Sequence, residues 1–168
     1  MLISKPTPKG TGLIILGDYN DLRYLYDTIQ TLSLVKTYDS EATYERNDKL
    51  LTIVPYEIRH AFQGERIVNH KIDNGHGETT YFGFRADWIT ILFTINALRY
   101  NSGYEPNSNF IQGILYLLEY RVQQALYMYD PIGANMIEPF IFGGIDVSSK
   151  YIYQLHQYYV TSFFSMKK

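Results

Sequence analysis

Residues 65–84 read ERIVNHKIDNGHGETTYFGF, and the fold class turns on how this stretch pairs with itself. Its centre, Asp73-Asn74-Gly75-His76-Gly77, is turn chemistry, because Asn-Gly takes up the positive φ that a tight hairpin needs. The arm before it, residues 65–72, alternates well enough for a strand. The arm after it, residues 79–84, is rich in β-branched and aromatic side chains. An antiparallel hairpin in mid-chain does not fit the regular βαβ alternation of a nucleotide-binding sheet.

Just upstream, residues 50–66 read LLTIVPYEIRHAFQGER. At about 100° per residue, Leu50, Leu51, Val54, Ile58, Ala61 and Phe62 fall in one arc of a helix. Tyr56, Arg59 and Gln63 fall opposite, with His60 at the border, and Gly64 stops the helix. Pro55 removes a backbone donor, so it predicts a kink or a late start. A strand over residues 50–54 with a helix from Pro55 is the alternative. Glu57 falls inside the apolar arc. A carboxylate turned toward a core needs a partner, and Arg66, Arg85 and Arg59 are the candidates in that order.

The rest of the chain adds one strand and more helices. Residues 5–12 read as a lead-in loop and residues 13–16 as a short apolar strand. Asp18 or Asn20 can cap a helix whose inner face is Leu22, Leu25, Tyr26, Ile29 and Leu32. Residues 36–46 are polar and read as loop. Residues 88–100 are apolar nearly all round, which predicts a buried helix. Asn107 or Ser108 caps a long helix to Tyr129, and residues 131–144 read as loop. Asp146 or Ser148 caps a last helix to Phe164, with Ile152, Leu155, Tyr159 and Phe163 facing in. The expectation is an α+β fold: a small, mainly antiparallel sheet, made of the N-terminal strand and the hairpin near 65–84, packed by about five helices. One domain spans 1–168, with the sheet and first helices in 1–86 and a helical part in 87–168.

Composition narrows the function classes. The chain has 168 residues, 46% hydrophobic and 19% charged, which is globular rather than disordered. Fifteen basic and 17 acidic residues give net −2, with no long run of like charge, so a phosphate-tracking surface for nucleic acid is not expected. The absence of cysteine excludes a disulfide scaffold, a thiol nucleophile and cysteine-bearing zinc sites. MLISKPTPKG has no apolar signal core, and residues 88–98 are too short for a bilayer span of about 20 residues. A cytoplasmic protein without membrane association or cofactor is expected. Seventeen tyrosines and nine phenylalanines are more than one core face can hold. With Tyr116, Tyr120, Tyr127, Tyr129, Tyr151, Tyr153 and Tyr158 on the last two helices, they predict a homodimer; the alternative source of so many tyrosines is the codon bias of an AT-rich genome.

Candidate chemistry is sparse. Leu16-Gly17-Asp18 after a strand echoes the Gly-Asp pair of metallophosphoesterases, but no Asp-x-His precedes it and helix capping explains Asp18. His70, Asp73 and His76 could offer metal ligands, yet they sit across a turn where polar residues are expected, so no metal is assigned. His156 on an apolar helix face reads as a satisfied core histidine. No phosphate loop or Gly-x-Ser-x-Gly elbow occurs. Tyr56, Glu57, Arg59, His60, Gln63, Glu65 and Arg66 remain. They form either a polar pocket or an ion-pair network built on Glu57 with Arg66 or Arg85. In the pocket, Arg59 grips an anion with Tyr56, His60 and Gln63 beside it.

TGLIILGDYNDL at residues 11–22 and YEIRHAFQGER at residues 56–66, with Trp88 opening a helix after the hairpin, resemble a family of small uncharacterised bacterial proteins. The resemblance spans the first two thirds of the chain. It implies no activity, and it makes residues 56–66 the defining site. The expected function is a non-catalytic binding or protein-interaction module. The alternatives are a hydrolase or lyase using His60 and Glu57 with Arg59 on an anionic substrate, and an antitoxin- or immunity-type partner-neutralising protein.

Overall fold

The structure, a computed structural model, describes residues 1–35, 41–73, 78–104 and 108–166; for residues 41–48, 70–73 and 78 it describes the backbone. A four-stranded sheet is formed by β1 (Ile3–Pro6), β2 (Gly12–Gly17), β3 (Ile67–Asp73) and β4 (Glu78–Asp87). Its order is β1-β2-β4-β3 and every neighbouring pair is antiparallel. Among the described residues six α-helices accompany it: α1 (Tyr19–Ser33), α2 (Glu41–Phe62), α3 (Trp88–Ser102), α4 (Asn109–Tyr129), α5 (Pro131–Ile137) and α6 (Ile152–Ser165). The architecture is α+β, as the hairpin and the helical periodicities predict.

The hairpin is β3–β4, in register from Ile67 opposite Gly83 to Asp73 opposite Glu78, with an irregularity between His70 and Ile72. Its turn, Asn74 to Gly77, lies outside the described residues. Leu13 and Ile15 of β2 and Phe84 of β4 point into the main core, while Ile14, Leu16 and Tyr81 make a small second cluster on the other face. Period-two alternation thus divides one sheet between two apolar clusters.

Four local expectations change. Residues 5–12 are not all loop: β1 runs through Lys5 and Pro6, a strand too short to show alternation and, as an edge strand, able to carry proline. α2 begins at Glu41, so part of the supposed 36–46 loop is helix, and it continues through Pro55 without a strand before it. A proline inside a helix costs about 3 kcal/mol. Leu50, Leu51, Val54 and Ile58 are each at most 1% exposed, and burying such a side chain returns roughly 2 kcal/mol, so packing wins. The 131–144 loop contains α5 and a 3-10 turn at Glu138–Phe140; Asp130 caps α5 and Pro131 opens it. The last helix starts at Ile152 without a side-chain cap. Asp146 instead accepts from the N–H and hydroxyl of Ser148, and these bonds hold its carboxyl below the ordinary value.

α1 keeps its expected cap. The Asp18 carboxylate accepts from the Asp21 N–H at 2.9 Å, and the Asp21 side chain accepts from the Asp18 N–H at 3.1 Å, a reciprocal capping box. α4 starts at the expected Ser108 cap. α3 is buried on every side. α6 turns Ile152 and His156 inward, whereas Leu155, expected inside, is exposed, and Tyr159 is half-exposed with its ring 6.2 Å from that of Phe93 in α3.

His156 fastens α6 to α3. The Thr90 hydroxyl donates to Asp87 at 2.7 Å, so it accepts at 3.0 Å from the His156 Nε2–H. The Gln157 amide lies 3.3 Å from Nδ1, and Phe93 and Tyr153 pack against the ring. Burial pushes His156 below the ordinary imidazole value, with the Asp87 charge acting weakly the other way. The unfolded chain therefore takes up this proton first as pH falls. The contribution is complete above about pH 6.5 and shrinks as the pH drops below it. Urea midpoints are expected to fall on acidification through this range. His156→Gln, which can still donate to Thr90, should lose that part of the slope; identical slopes in both proteins would contradict the assignment.

Candidate functional site

Residues 56–66 form the C-terminal end of α2 and the turn that follows. Gly64 adopts φ +81°, a left-handed conformation that favours glycine. The Gly64 N–H donates to the Ala61 carbonyl and the Glu65 N–H to the His60 carbonyl, both at 2.9 Å. This pair of bonds is the Schellman arrangement. It folds the chain back on the helix and sets Glu65 and Arg66 beside the last turn of α2.

Two ionic contacts follow. Arg66 grips Glu57 with both prongs, Nε to Oε2 at 2.7 Å and Nη2 to Oε1 at 3.1 Å. The His60 Nδ1 lies 2.5 Å from Glu65 Oε2. A carboxylate only accepts, so Nδ1 carries the hydrogen. The Arg59 Nη2, which only donates, stands 3.4 Å from His60 Nε2. Both imidazole nitrogens thus have a partner in this network. The Tyr56 ring lies 4.3 Å from that of His60, and the Arg59 guanidinium 5.6 Å from the Tyr56 centroid.

The four residues expected to hold an anion do share one stripe, with Tyr56, Arg59 and Gln63 exposed and His60 half-buried. Three of the four are therefore surface side chains. Glu57 does take Arg66, but its side chain is 30% exposed and Arg66's 33%, so the pair is not buried as expected. The last turn of a helix leaves the core, and angular position alone does not report depth. Arg85 stands exposed on β4 opposite Ile14 and takes no part. Glu57 and His60 are each engaged elsewhere rather than with one another. Asp18 is spent on its cap. His70 and Asp73 stand on β3, but their side chains, and all of His76, lie outside the described residues. Among the described residues no group of three or more His, Asp or Glu could hold a metal ion.

A better-buried pair escaped the sequence reading. Glu119 of α4 is 3% exposed in its side chain and takes Arg99 of α3 on both oxygens, the Nη2 to Oε2 bond at 2.5 Å. Hydrogen bonding to Glu119 raises the Arg99 pKa further and keeps it charged. Arg99 also donates to Gln112 at 3.3 Å and stacks 4.3 Å from the Tyr116 centroid. Glu119 stands four residues after Leu115 on the apolar seam of α4, the same signal that singled out Glu57.

Two hollows lie away from residues 56–66. One, of about 530 Å³, is bounded by Asn96, Arg99, Tyr100 and residues 143–147. Its Asn96 is already committed, donating to the Leu92 and Phe140 carbonyls and accepting from the Ile145 N–H. The other, of about 240 Å³, is apolar and lies where the β1–β2 loop meets α3, α4, α5 and α6.

Comparison with known proteins places the chain in a family. The model of a domain of unknown function, DUF6904, matches residues 2–168. The chain belongs to that family. The match takes in the C-terminal helices beyond Tyr100, which the resemblance of the two N-terminal motifs did not reach. Neither a curated protein nor a solved structure matches this DUF6904 domain. Among the described residues no helix is long and apolar enough to cross a membrane.

The two ion pairs differ in depth, and depth decides what they contribute. Removing one partner of a buried pair costs about 3 kcal/mol. Glu119→Gln is therefore expected to lower the urea midpoint strongly. Glu57→Gln, at the half-exposed pair, should shift it far less. Equal losses, or a larger one at Glu57, would reverse the assignment.

Proposed function

We propose that this DUF6904 domain is a non-catalytic interaction module that pairs with a second copy of itself through the outward face of α6. The observation that carries this reading is that α6 is apolar on both sides. Ile152 and His156 face the core, while Tyr151 at its N-cap, Leu155 and Tyr158 face outward and Tyr159, whose ring also touches Phe93 of α3, stands at the boundary; these four are between 41% and 65% exposed. Their spacing of four, three and one is that of a helix stripe which expects cover. No Asp, Glu, Lys or Arg occurs from residue 151 to 166. A surface that meets its own copy across a two-fold axis meets its own charges, so a neutral stripe suits such a contact.

The neighbouring segment extends the same chemistry. Between residues 131 and 166 the only charged side chains are Glu138, Asp146 and Lys150. Ile132, Met136, Phe140 and Phe142 are exposed there. A half-exposed side chain of this size leaves on the order of 100 Å² to cover. A contact that took in all eight would cover about 800 Å², the area each partner buries in a standard interface. The tyrosines of α4 are less available than the aromatic count suggests. Tyr116 covers Arg99, the Tyr120 hydroxyl accepts from Gln124, and the Tyr127 hydroxyl donates to Asn135.

The catalytic alternative rests on His60 and Glu57, which bind Glu65 and Arg66 respectively. The anion-binding alternative keeps Arg59 on an open surface. No observation gives either reading, or a partner-neutralising role, more support than the α6 stripe gives pairing. Sedimentation velocity over a micromolar concentration series is expected to show a dimer for the wild type. Leu155→Glu with Tyr158→Glu should give a monomer with unchanged helix content. A wild type that stays monomeric at the highest concentration would overturn the proposal.

A further inference from the structure

We infer that the smaller hollow, between the β1–β2 loop and helices α4, α5 and α6, is a cage for an organic ammonium cation. Three aromatic residues line it: Trp88, Tyr129 and Phe163. Leu126 and Ala134, 5% and 2% exposed, close its floor. Asp130 is the one charged residue among the described residues that line it. Aromatic rings around a compact cation are the recurring solution for quaternary and alkylated ammonium groups, because the ring quadrupole attracts the charge while the walls accept the alkyl carbons. A carboxylate beside them supplies the matching charge. A purely apolar ligand would have no use for it, and an anion would be repelled.

The local sequence makes room for this arrangement. Gly10 has φ +63°, and a Cβ there would stand 1.9 Å from the Tyr129 Cζ, so only glycine lets the phenol ring lie against the main chain. The Gly10 carbonyl accepts from the Trp88 Nε1–H at 3.1 Å. That bond consumes the indole's one donor, and what Trp88 offers the hollow is aromatic carbon. A Cβ at Gly133 would stand 2.6 Å from Asp130 Oδ2. Asp130 Oδ1 caps α5 by accepting from the Ile132 N–H at 3.0 Å, and the second oxygen needs the space that Gly133 leaves. The volume of about 240 Å³ exceeds the roughly 150 Å³ that accepts a benzene molecule in a protein interior. It suits a trimethylammonium head with a short stem.

This site does not depend on pairing through α6, because Phe163 lies with Ile152 and His156 on the inner side of that helix, away from Tyr151, Leu155 and Tyr158. Trp88 is the single tryptophan of the chain, so its fluorescence reads the hollow directly. The probes are choline, its neutral carbon isostere 3,3-dimethylbutan-1-ol, and a short peptide carrying trimethyllysine. Choline stands for free amines and the peptide for a modified protein. Saturable fluorescence changes with choline or the peptide, and none with the isostere, are expected. Asparagine caps a helix as well as aspartate does, so Asp130→Asn should fold normally and bind about tenfold more weakly. Phe163→Leu, which keeps the volume apolar, should weaken binding too. Whichever source binds more tightly identifies the cation. Equal response to the neutral isostere, unchanged affinity in Asp130→Asn, or no saturable response to any ammonium probe would each overturn the inference.

Discussion

α3 has no solvent side, and the other elements are arranged to satisfy that constraint. Its apolar residues, among them Ile91, Leu92, Phe93, Ile95 and Leu98, supply the driving force at roughly 2 kcal/mol each. Its polar residues decide what covers it where. Trp88 donates to Gly10 of the β1–β2 loop, Thr90 accepts from His156 of α6, and Asn96 holds Phe140 and Ile145. Arg99 takes Glu119 of α4, and the Asn101 amide donates to the Leu32 carbonyl at the end of α1. Each such bond contributes only about 1 kcal/mol net. A mispacked neighbour would leave a buried polar group unpaired, and that penalty specifies the arrangement.

The same constraint explains where function can reside. α6 is needed inside, to cover α3 through Ile152 and His156, yet it also carries exposed apolar side chains at Tyr151, Leu155 and Tyr158. The hollow lined by Trp88 and Phe163 lies at the N-terminal end of α3, where the β1–β2 loop, α4, α5 and α6 converge without closing. The best-marked polar motif, residues 56–66, has a local task. It ends α2 with a Schellman turn and clasps the exit with Glu57–Arg66 and His60–Glu65.

Much of this was legible in the sequence. The Asn-Gly turn with its flanking arms gave the hairpin, and the periodic faces gave α1, α3 and α4. β1 escaped because four residues cannot display alternation, and α5 because seven residues span under two turns. On α6 the inner face was read one residue too wide for a physical reason: a helix apolar on both sides has two solutions to the same periodicity, and Leu155 belongs to the outer one. At the candidate site, the rule that a carboxylate on an apolar arc has a partner selected Arg66 for Glu57. The rule could not report depth, since the last turn of α2 emerges into solvent. Glu119 fits the rule better, in mid-helix on the seam of α4. The ammonium cage has no linear signature, because Gly10, Trp88, Tyr129 and Phe163 are brought together only by the fold.

Hydrogen exchange on the native protein tests the role of α3 most directly. Amides of residues 91–98 should exchange only by global unfolding. Their opening free energy should then match that from urea denaturation, while α5 and the outer turns of α6 exchange faster through local opening. Exchange in α3 that is faster than in β2 or α4, and insensitive to a loss of global stability, would show that the rest of the fold stands without it.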